Sequence, residues 1–215
     1  MAARASGALA EQFDSLEQQH HAATLGMWIF LVTEIMLFGG MFTGYAVYRT
    51  LYAEGFAEGS RHMDLVLGGV NTAVLIVSSL TMALAVHAAQ SGQRRALMGY
   101  LGLTAVLGVV FLAIKGVEYF HHYQEGLVPG LWFHFEGALA RPVELFFLFY
   151  FIMTGIHAVH LTIGVGIVTV LLLLTQRGHF TPEAHDPVEL TGLYWHFVDI
   201  VWIFLLPLLY LFGLG

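Results

Sequence analysis

Cysteine is absent from this chain of 215 residues. Its absence excludes disulfides, thiolate zinc sites, iron–sulfur clusters and thiol catalysis. Charge is scarce as well. Asp, Glu, Lys and Arg make up 11% of the residues, against about a quarter in a soluble globular domain. Only 8 are Lys or Arg, against 15 acidic residues, so the chain has no basic footprint for a nucleic-acid partner. No Gly-x-Ser-x-Gly elbow, Walker loop or dinucleotide fingerprint occurs. What fills the sequence instead is apolar side chain, 58% of the total. A soluble fold of this size keeps too much surface to hide that fraction. An ordinary soluble enzyme and a disordered tail are thereby excluded.

The apolar residues fall into five long runs. Leu25–Tyr48 carries one charge, Glu34; Leu65–Ala89, Ala96–Ile114 and Leu145–Gln176 carry none; Leu190–Gly215 carries only Asp199. Each approaches or exceeds the ~20 residues that cross ~30 Å of hydrocarbon at ~1.5 Å per residue. The fourth is longer than needed and is expected to tilt or protrude. None alternates every second residue, which excludes barrel strands. The expected fold is all-α: a polytopic membrane bundle of five transmembrane helices over residues 24–215, behind a polar segment 1–23 that lacks the apolar core of a cleaved signal. The largest connection, His121–Pro142, holds Trp132 and is expected over the membrane surface; a second, Arg177–Glu189, holds Pro182 and Pro187. Trp28, Tyr45, Tyr48, Tyr52, Tyr100, Tyr119, Tyr123, Tyr194, Trp195 and Tyr210 lie near run ends, where interface belts and core packing are both expected. The compact Gly92–Arg95 loop favours an N-terminus inside.

Ionisable residues within spans cost several kcal/mol unless paired or hydrated, so they carry the information. Glu17…His20 and Glu118…His121 share the spacing of di-iron bundles. An odd number of spans separates them, which places them about 30 Å apart on opposite faces. His157 and His160 share a helix face, which fits a metal or haem site, or a polar stripe bonded to neighbouring helices. They cannot be the two axial ligands of one haem. Lys115 and Glu118 can pair at i, i+3 near the end of the third run, serving as a structural ion pair or a proton relay; snorkelling of Lys115 is the alternative. His196 and Asp199 repeat the spacing. Glu34, with no basic residue at i±3 or i±4, must be protonated, bonded to another helix, or facing a polar cavity or lipid head. Gly40-Met-Phe-Thr-Gly44 behind it is a spacing that permits close helix contact.

Four stretches together resemble a known family. Trp28-Ile-Phe-Leu-Val-Thr-Glu34-Ile-Met-Leu-Phe-Gly-Gly40 resembles the glutamate-bearing helix of subunit III of the haem–copper terminal oxidases. Lys115-Gly-Val-Glu118-Tyr119 resembles its Glu-Tyr helix end, and Thr154-Gly-Ile-His157-Ala-Val-His160-Leu-Thr-Ile-Gly164 its two-histidine helix. Tyr194-Trp195-His196-Phe197-Val198-Asp199-Ile-Val-Trp202 resembles its last helix closely. The order is also right, and the five-helix form is the one matched. Lys115 and Glu144 depart from the family pattern, standing where neutral residues are usual.

The resemblance implies an accessory, non-redox subunit of an enzyme that reduces dioxygen to water, pumps protons and takes electrons from cytochrome c or quinol. It implies no cofactor, catalytic residue or metal ligand in this chain, with haem and copper held by subunit I, and subunit II as a further partner. It also implies bound phospholipid, support of oxygen access and proton uptake, an N-terminus inside, and a bacterial cytoplasmic membrane. Glu34, His157, His160, His196 and Asp199 are the candidates for a lipid and oxygen cleft. Three other readings stay open: the related component of nitric oxide reductase systems, a stand-alone transporter or proton channel, and a haem-binding membrane anchor.

Overall fold

The computed structural model describes residues 12–130, 133–180 and 185–211. Trp132, Pro182 and the first eleven residues of the polar segment lie outside the described residues. Among the described residues six helices follow one another: α1 Leu16–Leu51, α2 Ala53–Arg61, α3 Leu65–Gln90, α4 Arg94–Gln124, α5 Ala140–Gln176 and α6 Asp186–Tyr210. All but α2 are long and apolar enough to cross a membrane. The described residues form no strand.

Local chemistry sets the helix starts. The Ser15 hydroxyl accepts the Gln18 N–H at 3.1 Å, capping α1. Asp64 accepts the N–H groups of Val66 and Leu67 at 2.9 and 3.0 Å, capping α3. Pro187 occupies the first turn of α6, where a missing N–H costs nothing. Gly92, Gly126 and Gly178 follow α3, α4 and α5 with φ of 68°, 70° and 77°, a conformation open to glycine without strain. The helices outrun the apolar runs: α1 and α5 have 36 and 37 residues. Turns outside the hydrocarbon can be polar and still helical, so hydropathy alone underestimates length.

α3, α4, α5 and α6 form a closed ring, each packed on the next, with α6 returning to α3. α1 leans on the outside against α5 and α6. Trp195, Trp202, Phe111, Phe146, Phe147 and Tyr150 fill the interior. The Trp195 indole fits because two residues facing it lack side chains: a Cβ on Gly108 would meet Cη2 at 2.9 Å, and one on Gly164 would meet Cε3 at 3.2 Å. Thr81 and Thr104 bond at 2.7 Å between α3 and α4. Large apolar side chains cover the outward faces, most completely on α1, where Met36 is 72% exposed. In water this surface would be a liability; in hydrocarbon it is matched to its surroundings.

Helix ends inside an apolar bundle leave carbonyls without partners. Here they are met from other elements. The Tyr45 hydroxyl of α1 donates to the Leu208 carbonyl at 2.5 Å, and Ser60 of α2 donates to that of Leu209 at 2.8 Å. Arg94, at the start of α4, donates to the carbonyls of Thr175 (2.9 Å) and Gln176. A cation there also opposes the negative end of the α5 dipole.

α2 was not anticipated from the sequence. Gly55 and Gly59 weaken its helical propensity, but they are what holds it. A Cβ on Gly55 would meet Pro142 Cβ at 2.1 Å, and one on Gly59 would meet the Phe146 ring at 2.4 Å. So the Gly-x-x-x-Gly pair that brings two helices together is Gly55–Gly59. At Gly40 no atom lies within 4 Å of a built Cβ, and at Gly44 only the Phe149 ring does, from 3.5 Å.

Candidate functional site

Two polar assemblies are built from spanning helices, and a third borders a groove. The first joins α1 to α5. Glu34 Oε2 lies 3.0 Å from His160 Nε2, with both side chains 15% exposed. His160 Nδ1 lies 2.8 Å from the Ile156 carbonyl. A carbonyl can only accept, so Nδ1 carries a proton. Nε2 and Glu34 therefore share one further proton, on either atom. The Phe38 ring packs edge-on to the imidazole at 5.4 Å, and Tyr194 of α6 donates to the His160 carbonyl at 2.8 Å. Five and six residues further along α1, no atom among the described residues approaches within 4 Å of a Cβ on Gly39 or Gly40, which leaves the helix surface there uncovered.

The second joins α4, α5 and α6. Lys115 Nζ donates to Glu118 Oε2 (3.0 Å), the Tyr150 hydroxyl (3.0 Å) and the Tyr210 hydroxyl (2.6 Å). Both tyrosines in turn donate to Glu118 Oε1, Tyr150 at 2.8 Å. All three ammonium protons are used, and each phenol both accepts and donates. Lys115 and Glu118 are 2% exposed. Lys115 therefore points into the bundle and does not snorkel. Such a saturated network is the condition under which a buried ion pair is tolerable. His122 approaches Glu118 at 3.9 Å and the exposed Glu125 at 3.7 Å.

The third lies between α3 and α6. Ser79 and His196 Nδ1 are 2.8 Å apart. Trp195 donates to Ser78 at 3.1 Å, and Trp202 to Thr72 at 3.0 Å. Ser79, His196, Asp199 and Thr72 border a groove of about 480 Å³. The Ser79 hydroxyl lies beside the Asp199 carboxyl, which has no other hydrogen-bond partner among the described residues. Although His196 and Asp199 share the i, i+3 spacing, the imidazole is held by Ser79.

His157 belongs to none of these. It is 1% exposed, packs against Phe111 and Trp202 at 5.6 and 5.2 Å between ring centroids, and has no hydrogen bond at either nitrogen. Although it shares a face with His160, only His160 reaches α1. Among the described residues, no three His, Asp or Glu side chains come together as a metal-holding group. A larger hollow of about 990 Å³ lies where α1 ends and α5 begins, lined by Tyr52, Arg141 and Pro142 above Leu145 and Leu148. Glu144 borders it and accepts the Gly130 N–H at 3.0 Å.

The family model of cytochrome c oxidase subunit III matches residues 15–214. The chain belongs to that family. It is 37% identical over 187 residues to a cytochrome c oxidase subunit 3 of Synechocystis, covering 86% of this chain and 74% of that protein. It is 32% identical over 192 residues to a quinol oxidase subunit 3 of Bacillus subtilis, with 89% and 87% covered. A probable quinol oxidase subunit 3 of Staphylococcus epidermidis is 31% identical over 210 residues, with 95% and 96% covered.

Within this subunit III chain, sequence reasoning missed Tyr150 entirely and left Tyr210 open between an interface belt and core packing. Tyr45, Tyr194, Trp195 and Tyr210 are buried, whereas Trp28, Tyr48, Tyr52 and Tyr123 are exposed. A signal was available: Lys115 has three donors, and Glu118 can take only one of them well at i, i+3. The remaining valences had to be met by hydroxyls on other spans.

Proposed function

We propose that this chain is the accessory, non-redox subunit of a proton-pumping haem–copper oxidase, packed beside a catalytic subunit I that holds the haems and copper, with subunit II completing the complex. The observation that carries the reading is the family match over residues 15–214, reinforced by relatives named as subunits of cytochrome c and quinol oxidases. Its polar pairs then serve assembly and access, not electron transfer.

On this reading the α1 surface beyond Glu34 and His160 admits acyl chains and dioxygen, which is soluble in hydrocarbon, toward subunit I. Gly39 and Gly40 support this, because among the described residues no side chain covers them. The hollow at Arg141 has the chemistry of a phospholipid: a cation and a phenol at its rim, with Leu145 and Leu148 below. The chain sits in a bacterial cytoplasmic membrane with its N-terminus inside. The haem and copper chemistry belongs to subunit I; this chain supplies packing, lipid and a polar path near the surface.

The test is purification of the tagged chain in mild detergent from its own membranes. The expected result is co-purification of a haem-bearing partner with oxygen-reducing activity. Recovery of the chain alone, intact and well dispersed, with no haem in the eluate, would overturn the reading.

A further inference from the structure

We propose that the groove between α3 and α6 is where a transmembrane helix of the haem-bearing partner docks, inserting a hydroxyl or amide donor toward Asp199. The inference rests on the accessory-subunit reading and adds which face meets the partner and by what chemistry.

The carboxyl is the starting point. Asp199 is 4% exposed and borders the groove, yet among the described residues neither oxygen has a well-formed hydrogen bond. The Ser79 hydroxyl, 2.8 Å from His196 Nδ1, lies beside the carboxyl and can donate to one of its oxygens when it accepts from His196. A buried carboxyl without partners is costly, whether ionised or protonated. Ser79 has one proton and serves one oxygen at most, so the other oxygen is left for a partner beyond the described residues.

Depth then selects the partner. Asp199 lies thirteen residues from the start of α6 and eleven from its end, and Ser79 fourteen and eleven from the ends of α3. At ~1.5 Å per residue, both are some 16 Å or more from either helix end, near the bilayer centre. A phospholipid headgroup does not reach that depth, and an acyl chain has nothing to donate. A second copy would bring carboxyl against carboxyl. A protein helix can carry a donor there, because its own backbone is satisfied internally.

The rim fits such a helix. Ile76 and Leu80 on α3 and Ile200 and Ile203 on α6 are about half exposed or more and flank the polar floor. Apolar packing along the rim with a polar bond at its centre is how helices associate in lipid.

The experiment uses the assembled complex in native membranes. A photoreactive benzoylphenylalanine is placed at Ile76 or Ile203, with Val106 and Val170 as controls on the outward faces of α4 and α5. Illumination precedes solubilisation. Groove positions are expected to give adducts with the haem-bearing subunit well above the controls. In parallel, Asp199→Leu should lower recovery of that subunit at least about tenfold per inserted chain, the scale of one lost buried hydrogen bond; Asp199→Asn, which keeps an acceptor, should retain most of it.

Adducts mainly from the controls, adducts only with lipid or a second copy, or undiminished recovery with Asp199→Leu would each overturn the docking site while the accessory reading stands. Failure of any variant, and of the unaltered chain, to recover a haem-bearing subunit would overturn both.

Discussion

Lys115 and Glu118 show how a charge pair survives inside hydrocarbon: one ammonium proton goes to the carboxylate and the other two to phenols from other helices. Removing one member leaves the other buried and uncompensated. Lys115→Met or Glu118→Leu should each destabilise the chain by about 3–5 kcal/mol. The double exchange should cost less than the sum of the singles, because it removes both charges at once. Thermal unfolding in mild detergent measures this; additive losses would show the two are uncoupled. At the other polar pair, Glu34→Ala leaves His160 Nε2 without its partner and should cost about 1–3 kcal/mol. Glu34→Gln can still donate through its amide and should be milder. If the pair borders the oxygen and lipid path, Glu34→Ala should also shorten sustained turnover and lower bound phospholipid, leaving the haem spectrum unchanged. A shifted spectrum, or normal lipid and durability in Glu34→Ala, would contradict that role.

At the scale of helices, glycine has opposite meanings at different places. Gly55 and Gly59 let α2 lie against Pro142 and Phe146 of α5, whereas Gly40 faces open space. Gly59→Ala should therefore cost about 1–3 kcal/mol through overpacking. Gly40→Ala should be neutral to slightly stabilising, since alanine is the better helix former. Chemical denaturation of the two variants in detergent decides it, and equal effects would mean the α2 contact is not tight. The five spanning helices were legible because uncharged runs of that length have one economical solution in a membrane. α2 was not legible, because its two glycines and mixed polarity make sense only against α5. Lys115 with Glu118 could be read from their i, i+3 spacing. Glu34 with His160 could not, because 126 residues separate them and only the docking of α1 on α5 joins them.

At the scale of the whole molecule, the described residues form a ring of four helices with α1 leaning on its edge and the short α2 packed on α5, most of the spanning helices' ionisable groups turned to one another or to the α3–α6 groove. The family resemblance read from four short motifs agrees with the match over residues 15–214. The site was less legible, because five candidate residues that look alike in sequence go to separate places: Glu34 and His160 to the α1–α5 contact, His196 and Asp199 to the groove, His157 to the interior. The central claim is that this subunit carries no redox centre and supports one held by its partner. The most direct test is iron and copper content, with the reduced-minus-oxidised spectrum, of the oxidase purified with this chain and after its selective removal. The account predicts the same haem and copper per catalytic subunit in both preparations, and none in the released chain. Loss of one equivalent of iron or copper from the depleted complex, and its recovery with the released chain, would contradict it.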